Sequence, residues 1–260
     1  MTNWPALSWS RTEGVTVPAY DAVADFYVAF VDRLLADPGS FWHPLLERYD
    51  ELLGPDLSGA CVLDIACGEG HLARRLCTFG PASVLGIDLA PALIEVATKR
   101  ADDPRLSFRV DDAQTLATIP DASVDVAVSK LALMDIADHR ALFQATARVL
   151  VPGGRFLLSL LHPCFETPFH EERAPRFLLD DTGRRLAYRI QAYAQEGPWH
   201  SGGSGVRGRL GAHHRTLSTL VNDLLAAGLT LRGLYEVTSA PVGLLSQVPQ
   251  TLLLDAQRPD

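Results

Sequence analysis

Short apolar runs recur through the middle of the chain at residues 61–66 (CVLDIA), 83–88 (SVLGID), 106–110 (LSFRV), 124–128 (VDVAV) and 155–161 (RFLLSLL). Most lack polar alternation, which is how a strand covered on both faces reads. Between them, HLARRLCTF, APALIEVATKRA and DHRALFQATARVL carry apolar residues at helical spacing, and the last stops at Val151-Pro152-Gly153-Gly154. Alternating strands and helices predict a parallel sheet with right-handed crossovers and helices on both sides, a doubly wound α/β fold. Ahead of this core, residues 19–36 and 41–53 read as two helices broken at Asp37-Pro38-Gly39, placed to cap the ligand edge of the sheet. Residues 165–212 are rich in charges, aromatics and prolines and end in HSGGSGVRGRLGAH. They read as an insertion whose stretch 197–212 is a mobile lid, since glycines are many and apolar anchors few. TLSTLVNDLLAAGL then forms an amphipathic helix opened by a Thr or Ser cap and ended by Gly228, and LTLRGLYEV and TLLLDA give two further strands.

Composition narrows the class. With 260 residues the chain fits one large domain, divided into a cap (1–56), a core (57–161), an insertion (162–212) and a C-terminal part (213–260). Hydrophobic residues at 47% and charged residues at 21% are those of a globular protein. A net charge of −8 argues against a nucleic-acid partner, which requires clustered Lys and Arg. No apolar run reaches the roughly 18 residues of a membrane span, and MTNWPALSWSRTEG lacks the regions of a signal peptide, so the expected address is the cytoplasm. Cys61, Cys67, Cys77 and Cys164 form no CxxC pair and have no His at metal-ligand spacing, so reduced thiols and no metal are expected.

VLDIACGEGHL, residues 62–72, carries the chemistry. An apolar run with an acid, then small residues and two glycines, then a helical pattern describes a strand turning sharply into a helix. In an open parallel sheet, ligands bind outside such strand ends. Asp64 lies inside the motif, and Asp88 closes the next apolar run. A carboxylate at the end of the second strand is placed to accept hydrogen bonds from both hydroxyls of a ribose, which points to an adenosine-containing ligand.

On these residues the sequence resembles the class I S-adenosyl-L-methionine-dependent methyltransferases of the small-molecule type, over roughly residues 19–161. It departs from their first motif with Ala66 where the first glycine is usual. The resemblance implies a Rossmann-like, seven-stranded, mostly parallel sheet with an antiparallel last strand, TLLLDA. It also implies that the backbone of Ala66, Gly68 and Gly70 approaches the methionine and ribose portions of the cofactor while Asp64 orients its amino group. Asp88 would take the ribose, Leu89 the adenine face, and Asp112 with Ala113, in VDDAQTL, the adenine edge. DVAVSKLALMDI resembles the fourth-strand motif and places Ser129 and Lys130 near the methionine end. Tyr20 and Tyr27, at i and i+7 of the first helix, are candidates to close over the cofactor, although that spacing also suits core packing.

The implied activity is in-line methyl transfer to a nitrogen, oxygen or carbon of a small organic acceptor, by a monomer or homodimer. A neutral His could accept the acceptor's proton. His162, after the fifth strand in HPCF, is the best placed; His213 and His214 are further substrate-side candidates, and His43 a weaker one. Two other readings stay open at this stage. A nicotinamide-dependent oxidoreductase shares the turn and the ribose acid, but GEGHLA lacks the GxGxxG spacing. A non-catalytic cofactor-binding scaffold or regulatory partner would keep the cofactor side while losing the acceptor side.

Overall fold

A computed structural model describes residues 19–238 and 244–260. The five apolar runs become β1 (Cys61–Ile65), β2 (Ser83–Asp88), β3 (Leu106–Val110), β4 (Val124–Lys130) and β5 (Leu150–Leu161). These strands are mutually parallel, and the sheet is completed by β10 (Thr230–Val237) and β11 (Thr251–Gln257) in the order β10-β11-β5-β4-β1-β2-β3. β11 is antiparallel to both β5 and β10. It lies inside the sheet, and accordingly residues 251–256 are all buried. β10 is the edge, and its burial alternates with period two, as expected when one face meets solvent. The chain leaves β1 toward β3 on one side and returns to β4 on the other, so the switch point lies at the carboxyl ends of β1 and β4.

Each strand feeds two cores. From β1, Leu63 and Ile65 pack with Phe143 of α5 (His139–Val149) and Leu220 of α7 (Leu217–Ala226). Val62 packs on the opposite face with Leu45 and Tyr49 of α2 (Trp42–Leu53) and Leu72 of α3 (His71–Cys77). By strand alternation, Asp64 therefore points to the α2 and α3 side. α2 is pinned there by the Tyr49 hydroxyl, which donates to the Ser129 carbonyl at 2.8 Å and meets Ser159 Oγ at 3.0 Å. α1 (Ala24–Ala36) packs near α4 (Pro91–Lys99), and Asp21 accepts the Ala92 amide at 2.9 Å, satisfying a free donor at the α4 N-terminus.

One strand boundary needs correction, and the insertion gains detail. The helix stops where expected, but the fifth strand begins at Leu150 and not at 155: Val151-Pro152-Gly153-Gly154 belongs to β5, which absorbs the glycines in a register shift opposite Val124 and Val126. The insertion is also structured, with hairpins β6–β7 (Phe177–Leu179, Arg185–Tyr188) and β8–β9 (Gly197–Trp199, Ala212–His214) and the single turn α6 (Val206–Arg209). Some of its glycines are packing positions, while Gly183, Gly197 and Gly205 face open space. A Cβ on Gly208 would lie 1.7 Å from the Gly203 carbonyl, and one on Gly203 would strike the Glu171 carboxylate. No helix among the described residues is long and apolar enough to cross a membrane.

Candidate active site

The turn after β1 places Ala66, Gly68 and Gly70 at φ of 56°, 57° and 83°. An L side chain in this left-handed region costs about 1–2 kcal/mol, the physical reason a glycine is usual where this chain has Ala66. The Cys67 amide donates to the Ile87 carbonyl at 2.8 Å and ties the turn to β2, so that amide faces the sheet and no ligand. Gly70 serves packing as well, since a Cβ there would meet the Phe108 ring at 2.5 Å. Asp88 holds the turn from the next strand: one carboxylate oxygen accepts the Gly68 amide and the other the Ala90 amide, both at 2.9 Å. Each oxygen keeps a lone pair for an incoming hydroxyl. Leu89, beside it, is 50% exposed, an apolar face next to the acid.

Beneath the turn lies a buried polar cluster. Burial pushes Asp64 up to about 8 against the pull of Lys130, and its Oδ2 has no hydrogen-bond partner among the described residues. Burial brings Lys130 down to about 7 against Asp64 and Glu69, and its Nζ sits 3.1 Å from the centroid of the Trp42 ring. His71 stacks on the same Trp42 ring at 5.0 Å, and its Nδ1 lies 2.7 Å from Glu69 Oε1. Burial takes His71 down to about 4, so the ring is neutral; Nδ1 then carries the proton donated to Glu69, and buried Nε2 is a free acceptor. Glu69 is held to about 2, because bonds from His71 and Arg74 outweigh its burial. Among the described residues Trp42 Nε1 is a buried donor without a partner, and so is the Ser129 hydroxyl one residue from Lys130. Orphaned groups of this kind cost about 1–3 kcal/mol each, and their concentration at one strand end fits a ligand that brings both an ammonium and a carboxylate.

The cap and the insertion meet above the turn. A Cβ on Gly68 would lie 3.3 Å from Tyr27 Cε1, so this tyrosine lies across the turn, with Tyr20 edge-on to it at 4.9 Å. Burial and the nearby carboxylates keep both phenols protonated. Asp135, in the turn just after β4, receives two bonds from Arg207 of α6 at 2.5 and 3.1 Å, and Arg209 covers the Phe26 ring at 4.2 Å. The Asp135–Arg207 pair carries no sequence signal, since nothing in a glycine-rich tract distinguishes an arginine that reaches across to another strand end. His71 did carry one: it opens the helix that follows the glycine turn.

Other predicted residues fall in different places. Asp112 accepts the backbone and side-chain amides of Gln114, and Ala113 is buried in the α5-side core. His162 is 1% exposed; its Nδ1 accepts the Cys164 amide, and its Nε2 lies 2.9 Å from Glu236 Oε1. Nδ1 being an acceptor, Nε2 holds the proton, so in this arrangement the imidazole has no free lone pair with which to act as a base. His43 is tied to the Asp37 carbonyl in the cap, and His214 to the Tyr193 carbonyl. The His213 imidazole makes no hydrogen bond among the described residues and lines a cavity with Met134, Leu160, Trp199 and Arg215. Burial and Arg215 hold His213 below the ordinary imidazole value.

Comparison with known proteins agrees with this geometry. A family profile described as a methyltransferase domain matches residues 63–158, from β1 into β5. A protein of Haemophilus influenzae described as uncharacterized is 27% identical over 226 residues, 85% of this chain and 86% of that one. The ubiquinone biosynthesis O-methyltransferase of Xanthomonas oryzae pv. oryzae is 38% identical over 109 residues, and the match spans under half of its length (45%) and 41% of this chain. The solved S-adenosylmethionine-dependent methyltransferase of Mesorhizobium loti is 28% identical and superposes with a TM-score of 0.71 over 85% of this chain and 99% of its own. The profile runs through the glycine turn and the solved relative superposes over most of both chains, and together they support a class I S-adenosylmethionine-dependent methyltransferase.

Proposed function

We propose that this enzyme transfers a methyl group to a nitrogen, oxygen or carbon of a small organic acceptor. The observation that carries this reading is the unpartnered Asp64 oxygen inside a buried polar cluster, one strand end away from a largely apolar cavity. S-adenosylmethionine, when bound, supplies a methyl group on a positively charged sulfonium, and the reaction needs the acceptor atom in line behind that carbon. Asp64 Oδ2 and His71 Nε2 would receive the ammonium; the Trp42 indole and Lys130 would face the carboxylate. Asp88 would accept the ribose hydroxyls, with Leu89 against the adenine and Asp112 and Ala113 at its edge. Tyr20 and Tyr27 cover the turn and exclude water, and the cavity beside Met134 holds the acceptor.

Calorimetry with S-adenosylmethionine and S-adenosylhomocysteine tests the cofactor side. Asp88→Ala removes acceptors for charge-assisted bonds worth roughly 1.5–3 kcal/mol each, so affinity for both should fall about a hundredfold. Unchanged affinity in the folded variant, or tighter binding of NADH by the wild type, would sink the reading. Incubation of a small-molecule extract with methyl-labelled cofactor, followed by mass spectrometry, identifies the acceptor.

A further inference from the structure

Arg215 is 8% exposed and forms no ion pair among the described residues. It donates to the carbonyls of Leu133 at 3.0 Å, Ile136 at 2.6 Å and Ala137 at 2.8 Å. A guanidinium has five donors, so this clamp on the segment after β4 leaves two unspent. The acids whose fields reach it are otherwise engaged: Asp138 accepts the Ala141 amide, Glu196 the amide and hydroxyl of Thr216, and Asp223 meets His139 and Arg140. Glu166, the carboxylate in the same cavity, is held by Arg176 at 2.5 Å and by the Tyr188 hydroxyl. One cavity wall therefore carries a buried guanidinium with no carboxylate in direct contact among the described residues, its charge balanced only at a distance by Asp138, Glu196 and Asp223, and an anion placed against it would relieve that burial. Beside it stands the unbonded imidazole of His213, whose neighbours Arg215 and His139 disfavour its protonation while Asp135 favours it, and Asp135 is itself paired with Arg207. Met134, Leu160, Trp199 and Leu220 make the remaining wall apolar.

We infer that this cavity takes an acceptor with an acidic hydroxyl, a phenol or enol on an apolar body, which His213 deprotonates and Arg215 holds as the oxyanion. The inference rests on the methyltransferase reading and specifies its acceptor. The imidazole takes the hydroxyl proton, and an oxygen electron pair forms the new bond to the methyl carbon. The carbon–sulfur bond breaks and leaves its electrons on sulfur, and the imidazolium passes the proton to water. The products are a methyl ether, a neutral thioether and a proton.

The probe is 4-nitrophenol, whose phenol and phenolate absorb differently, titrated into protein saturated with S-adenosylhomocysteine, with nitrobenzene as the neutral control. Nitrophenol should bind as the phenolate at a pH below its ionisation in water, and nitrobenzene roughly ten- to a hundredfold more weakly. Arg215→Gln should abolish that preference; where this variant does not fold, the absorbance of the wild-type complex decides alone. His213→Gln should keep phenolate binding and, with labelled cofactor, slow methylation of a weakly acidic phenol far more than that of nitrophenol, which is already ionised. Binding of neutral nitrophenol, equal binding of nitrobenzene, or no nitrophenol bound by protein that does hold S-adenosylhomocysteine overturns the inference. Failure to bind S-adenosylhomocysteine removes the methyltransferase reading beneath it.

Discussion

The two halves of the site are built by different means. The proposed cofactor half centres on one short segment: the turn after β1 fixes its own backbone through Ala66, Gly68 and Gly70, Asp88, one strand over, ties it down through the Gly68 amide, and Tyr27, Trp42 and Lys130 are added around it. The acceptor half is assembled from distant pieces, the turn after β4, the end of β5, the β8–β9 hairpin and α7, joined by Arg207 to Asp135 and by Arg215 to three carbonyls. A local half resists change elsewhere and fails at a single atom. An assembled half depends on its cross-links, and losing one should loosen acceptor binding while leaving the cradle intact.

Gly68→Val breaks the comparison most directly. The position has φ of 57°, and a side chain would meet the Tyr27 ring at 3.3 Å, so a β-branched residue is excluded by both backbone and neighbour. Binding of S-adenosylhomocysteine should fall beyond calorimetric detection while the circular dichroism of the fold remains. Normal binding would mean that the cradle tolerates distortion and is no more local than the acceptor side.

Arg207→Met probes the other half. It leaves Asp135 unpaired beside Tyr20 and uncouples α6 from the strand end. The pair is partly buried, so the loss should lie at the low end of what a broken buried pair costs, about 1–3 kcal/mol, and appear as faster proteolysis within residues 197–212. Cofactor affinity should change less than about threefold, and Asp135→Asn in the same chain should recover part of the protection. Equal proteolysis with and without the pair would show that glycine packing alone holds the insertion.

Legibility in the sequence follows the same division. Strand 83–88 was readable to the residue because a buried strand prints a near-continuous apolar run, edge strand 106–110 because its short run stands between polar flanks, and Asp64 and Asp88 because spacing along one segment fixes their place. The hairpins of the insertion were not, since β6, β7, β8 and β9 are three or four residues long and too short to show a period. The partners of His162 were hidden for a related reason: its position after β5 is visible in sequence, but Glu236 lies 74 residues away and reaches it only because β10 joins the same sheet. Arg215 and Asp135 gave no local sign of their partners.

Asp64→Asn sharpens the comparison through pH. The folded-state pKa of Asp64 is raised to about 8, so the native protein holds a proton that the unfolded chain releases near pH 4. Wild-type stability therefore falls as pH rises through that window, and Lys130 offsets part of the loss. The asparagine variant escapes this cost, so its melting temperature should exceed that of the wild type, by an amount that grows between about pH 4 and pH 8 and corresponds to roughly 1–2 kcal/mol. Its affinity for S-adenosylmethionine should nevertheless drop about tenfold, because a neutral amide replaces the ammonium's partner. A variant both less stable and fully able to bind would remove Asp64 from the cofactor half.

The smallest effect on turnover is expected at His162. Both ring nitrogens are committed, Nδ1 to the Cys164 amide and Nε2 to Glu236, so the ring braces the chain where β5 turns into the insertion. Burial holds its pKa below the ordinary value, and protonation would force Nδ1 to give up the Cys164 amide. His162→Gln should cost about 1–2 kcal/mol of stability through those bonds and change kcat with a methylated acceptor less than about threefold. The discriminating readout is the pH profile. If His162 only braces the strand, the rise of activity through the imidazole range survives in His162→Gln and disappears in His213→Gln. If the rise instead vanishes in His162→Gln while the protein stays folded, then the Cys164 and Glu236 bonds must open during turnover, and the general base belongs to β5 and not to the hairpin.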